Sequence, residues 1–166
     1  MKIEITKGRG ADYIVIVRGD GSRVETSFPH KGPVPHDAVH YFVERGLGLS
    51  DAFWGMIANG AHPADLLEIA KAAGHASAKR AVIPDASIVE LIQAERLVEC
   101  FEAELWSGGS DDAGLIAIAQ AGCEASHVRL PAIAPSALGS AREALRAFAD
   151  EWTAAPIGHV ARFDWG

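Results

Sequence analysis

The hydrophobic period of this chain changes once, and the change falls in "PHKGPVP" (Pro29–Pro35). Before it, apolar residues alternate with polar ones, the spacing of a strand with one face in a core. After it they recur every three to four residues, the spacing of a helix. One switch of this kind predicts an α+β fold: a small N-terminal antiparallel three-stranded sheet, then a mostly helical body of about six helices.

Three strands account for residues 1–28. "KIEITK" and "SRVETSF" alternate, with Val24, Thr26 and Phe28 on one side of the latter. "DYIVIVR" is apolar and mostly β-branched, which predicts a central strand covered on both faces. "GDGS" supplies the glycines of a tight hairpin between the last two.

The helical body spans 35–154. "PHDAVHYFVER" is its first helix, with Pro35 in the first turn and Gly46 or Gly48 at the end. "SDAFWGMIAN" follows, capped by Ser50 and stopped at Asn59-Gly60; "PADLLEIAKAAG" opens at Pro63 and closes at Gly74. "GHASAKRAVIPD" reads as a connection. "ASIVELIQAERLVECFEAELW" is the longest helix, and "SGGSDD" ends it, with Asp111 and Asp112 favouring the start of "AGLIAIAQAGCEA". "ALGSAREALRAFADEW" carries a stripe of Leu138, Ala141, Leu145, Phe148 and Trp152. The tail, 159–166, is expected as a short strand or docked extension. The whole chain, 1–166, reads as one domain.

Charge narrows the functions. The chain has 15 basic and 22 acidic residues, for a net charge of -7. Lys2, Lys7, Arg9, Arg18, Arg23 and Lys31 put six of the basic residues ahead of the helices, so the helical body is strongly acidic. Such a surface repels phosphate, and no nucleic-acid partner is expected. No run approaches the ~18 apolar residues of a membrane span, so no membrane partner is expected either. Cys100 and Cys123 have no metal-binding spacing and read as free thiols. With no secretory pattern at the N-terminus, these features predict a cytoplasmic protein.

The residues with chemistry in them begin the first helix. His36, His40 and Glu44 are spaced by four and form a column on one face. Imidazoles at i and i+4 can meet one metal ion, zinc or another transition metal. Glu44 lies two turns from His36, about 12 Å along the axis, so a third ligand must come from elsewhere. At about 100° per residue, the apolar arc of the longest helix holds Ile88, Leu91, Ile92, Val98, Leu105 and Trp106. It also holds Glu95, Glu99 and Glu102, each costly on a core-facing side unless a cation or metal compensates it. His30, in the linker, is a further candidate. The helix N-terminus is expected to keep His36 neutral, the form that ligates metals.

A small sheet, an H-x-x-x-H helix and a later helix bearing Glu resemble the core of zincin-type metallopeptidases. The resemblance implies that His36 and His40 bind zinc, that Asp37 takes the general-base position, and that Glu95, Glu99 or Glu102 completes the site. Here the motif is H-D-x-x-H, and Asp is one methylene shorter than the Glu of the family. The segment "PHDAVHYFVERGLG…FWGMIANGA" also resembles part of uncharacterised bacterial proteins, which implies no activity.

Two functions follow as expectations: a divergent metal-binding hydrolase acting on a small molecule or peptide, and a non-catalytic interaction module. In the second, amphipathic helices form a homodimer or partner surface. The column is then structural, with Asp37 serving the helix dipole, His40 bonded to a carbonyl and Glu44 solvated.

Overall fold

The structure is a computed structural model that describes residues 1–73 and 83–166. Its order is β1 (Lys2–Thr6), β2 (Ala11–Val17), β3 (Arg23–Pro29), α1 (His36–Leu47), α2 (Phe53–Ala58), α3 (Pro63–Ala72), a 3-10 turn (Ala86–Ile88), α4 (Val89–Ser107), α5 (Asp112–Ala125), α6 (Pro135–Ala154) and β4 (Val160–Asp164). The fold is α+β, as the period change predicts. The tail adds a fourth strand, giving the antiparallel order β3-β2-β1-β4. Gly74 and most of the expected connection after it lie outside the described residues.

Ile3 and Ile5 stand opposite Ile16 and Ile14 across β1 and β2. All four are at most 2% exposed, and they form the sheet's share of the core. The opposite face of β2 is not covered: Tyr13 is 60% exposed, and Val15 and Val17 are half-buried. The expectation of a strand covered on both faces is therefore corrected. β-Branching there satisfies strand propensity rather than burial.

Helix α1 is the centre of the body. It packs against α4 and α6. Its Tyr41 hydroxyl donates to the Asp164 carbonyl of β4 at 3.0 Å. Gly46 allows the close approach to α6, because a Cβ there would lie 2.7 Å from that of Ala141. Gly48, at φ 74°, ends the helix in the left-handed conformation that glycine tolerates. The predicted α6 stripe is buried throughout.

Two local expectations need correction. Ser50 does not cap α2; its N-cap position is Ala52, without a side-chain bond. Glu44 of α1 substitutes, its Oε2 accepting from the Trp54 N–H at 2.9 Å. A carboxylate suits a helix N-terminus as well as a hydroxyl does. Trp106 does not join the core; it is 58% exposed and lies against Gly32 of the linker, at the end of α4.

Candidate metal centre

His36 is the first residue of α1 and His40 lies one turn on, so their rings project side by side. The centroids are 4.8 Å apart at 80°. Each Nδ1 bonds a carboxylate. His36 Nδ1–H donates to Glu102 Oε1 at 2.8 Å, and His40 Nδ1–H donates to Glu44 Oε1 at 2.7 Å. Both Nε2 atoms then face one residue, Glu95, at 3.9 Å from Oε2 for His36 and 3.7 Å from Oε1 for His40. His36, His40 and Glu95 thus bring three donor atoms within 4.8 Å of one another. Tetrahedral zinc needs such atoms about 3.3 Å apart, so an ion would draw them inward by about an ångström.

Of the three glutamates read from α4, Glu95 is brought between the imidazoles and is 6% exposed. Glu102 stands behind His36 rather than beside the Nε2 atoms. Glu99 is not brought to the histidines. Both its oxygens accept from Arg96 Nη1, at 3.0 and 2.8 Å, on a side chain 45% exposed. Four residues on from Glu95, its position drifts by about 40° around the helix, enough to reach the edge of the covered face.

Burial and charge set the protonation of the cluster. Burial pushes the His36 imidazolium down, but its bonds to Glu102 and Glu95 outweigh burial, and the net shift is upward. The facing carboxylates thus act against the neutral form expected for His36 from the helix N-terminus. His40, against the same opposition from burial, is raised to about 10 by Glu95 and Glu44. Burial opposes ionisation of Glu95, yet the two histidines hold it well below the usual carboxylate range. Burial raises Glu44, against the pull of His40. Without an ion, His40 and Glu95 form a buried ion pair.

Asp37 is half-buried and lines the cavity in front of the cluster. Desolvation raises its pKa, against the pull of His36, His40 and Lys31. No side chain among the described residues hydrogen-bonds its carboxylate. Its carbonyl accepts the Trp54 indole N–H at 3.0 Å.

The cavity has a volume of about 250 Å³ and reaches from His36, His40 and Glu95 to the sheet. Phe28, Phe53, Leu66 and Leu67 form its apolar walls. His30 lines it but is not turned to the cluster; its Nε2 bonds Asp12 Oδ1 at 2.9 Å. His62 caps α3, its Nδ1 accepting from the Ala64 N–H at 3.2 Å.

Sequence reasoning missed one group and left another open. Glu44, read in the histidine column but solvated under the interaction-module reading, is fully buried. Asp12 is 6% exposed, and its phase with Ile14 and Ile16 on β2 was the signal.

No family model matches the chain, and no curated protein or solved structure matches it significantly. No helix among the described residues is long and apolar enough to cross a membrane.

Proposed function

We propose that the chain binds one transition-metal ion through His36 Nε2, His40 Nε2 and Glu95, and that it is a metal-dependent hydrolase. The orientation of the two imidazoles carries this reading. Each Nδ1 is fixed by a carboxylate, and each Nε2 is left facing Glu95. Metal-ligating histidines are held and tuned in this way by their outer partners. Two imidazoles and one carboxylate suit zinc, and also iron(II), with positions left open for water and substrate. The ion would supply Lewis acidity and activate water. Asp37, beside the cluster and without a side-chain hydrogen-bond partner among the described residues, is the candidate general base. Because His40 is raised to about 10, an ion binding it competes with a proton. Metal analysis of protein purified without chelators tests the reading: one equivalent in the wild type, none in a His36→Ala, His40→Ala double variant.

One observation favours a second reading, a non-catalytic module. The ion pairs of His40 with Glu44 and Glu95 compensate the buried charges without any metal. Under that reading a chelator leaves the melting temperature unchanged, and solution mass shows a dimer or a complex with a partner.

A further inference from the structure

The cavity has a second polar wall that the metal reading does not use. Asp12 points inward from β2, in phase with Ile14 and Ile16. Its Oδ1 accepts the Gly8 N–H at 3.0 Å and the His30 Nε2–H at 2.9 Å. An inward carboxylate on a sheet is costly unless such donors satisfy it. In the tautomer that this bond selects, the proton sits on Nε2 and Nδ1 is an acceptor. That nitrogen has no partner among the described residues, and the His30 side chain, 34% exposed, borders the cavity. Phe28, Phe53, Leu66 and Leu67 line the same cavity. A volume of about 250 Å³ is just under the ~300–1,000 Å³ of drug-sized pockets. It holds one ring and a short polar end, not an extended polypeptide.

We propose that this cavity binds a small acyl compound bearing an N–H, such as a compact aromatic amide. Its apolar body lies among Phe28, Phe53, Leu66 and Leu67, its carbonyl faces the metal centre, and its N–H donates to His30 Nδ1. Asp12 is a positioning residue that holds the His30 ring. The inference rests on the metal reading and narrows its substrate from a small molecule or peptide to a small amide.

The test uses the full chain loaded with cobalt(II), whose visible spectrum reports ligand binding. Benzohydroxamate has a ring, metal-binding oxygens and an N–H; acetohydroxamate lacks the ring, and N-methylbenzohydroxamate lacks the N–H. Benzohydroxamate is expected to bind about tenfold or more tightly than acetohydroxamate, because the ring is buried. It is expected to bind about tenfold more tightly than the N-methyl compound, which leaves His30 unpaired. In His30→Ala the N–H preference vanishes while the ring preference stays, and cobalt uptake reports that the fold is intact. Leu67→Trp is expected to abolish the ring preference. Equal binding of all three probes, or tighter binding of a tetrapeptide hydroxamate, overturns the inference and leaves the metal reading standing. Failure of the wild type to take up cobalt overturns both.

Discussion

Glu95 lies between His36 and His40, with one carboxylate oxygen toward each Nε2, at 3.9 and 3.7 Å. The residue comes from α4 and the histidines from α1, so packing of those two helices builds the cluster. Removing the carboxylate should remove the site and leave the helices. Glu95→Gln is expected to lower metal affinity at least a hundredfold, by titration against a competing chelator. Glu99→Gln, on the far side of the Arg96 pair, is expected to change it less than twofold. Equal losses in the two variants would mean that Glu95 has no special part.

Glu44 acts on the ion only through His40. Its Oε1 fixes the His40 ring, and its Oε2 holds the Trp54 N–H. Glu44→Gln keeps an acceptor for one of these but loses the charge. Partners of this kind are worth about 10–100-fold in metal affinity. Isothermal titration should show a loss in that range, with near-native helix content by circular dichroism. Unaltered affinity would show that His40 needs no such partner.

In metal-free protein the stability should depend on pH with a definite sign. The folded pKa of His40 is raised from 6.5 to about 10. Its contribution is therefore fully present below about pH 6.5 and is lost as pH rises through about 10. For a buried group with so large a shift, the loss is on the order of a few kcal/mol. Urea midpoints of chelator-treated protein should fall from pH 6.5 to 10, and the fall should shrink in His40→Gln. A wild-type slope that persists in the variant would assign it to other groups.

The period change at Pro29–Pro35 was enough to read the fold, because strands and helices repeat at such different spacings. Helical phase likewise put Glu95 on a covered face. It could not separate Glu95 from Glu99, since they differ by a small rotation and by whether Arg96 is near enough to pair. Nor could the helix N-terminus alone fix the protonation of His36, which depends on Glu102, 66 residues away. The C-terminal strand was ambiguous because its partner, β1, is at the other end of the chain. Asp12 and Glu44 were legible in principle, one by strand parity and one by helical spacing.

The α1–α6 contact that anchors the histidine helix has its own test. A Cβ at Gly46 would come within 2.7 Å of the Ala141 Cβ. Gly46→Val is expected to cost about 1–3 kcal/mol through overpacking, seen as a lower urea midpoint. A stability equal to the wild type would show that the two helices can separate freely.

The most direct measurement is the metal content of wild-type protein together with its melting temperature before and after a chelator. A bound ion stabilises the folded state by RT ln(1 + c/Kd), where c is the free ion concentration. The account predicts about one equivalent of zinc or another transition metal. It also predicts a melting temperature that drops on chelation, recovers on re-addition, and does not respond in the His36→Ala, His40→Ala variant. Protein that carries no metal, takes none up, and melts at the same temperature with and without chelator would contradict it.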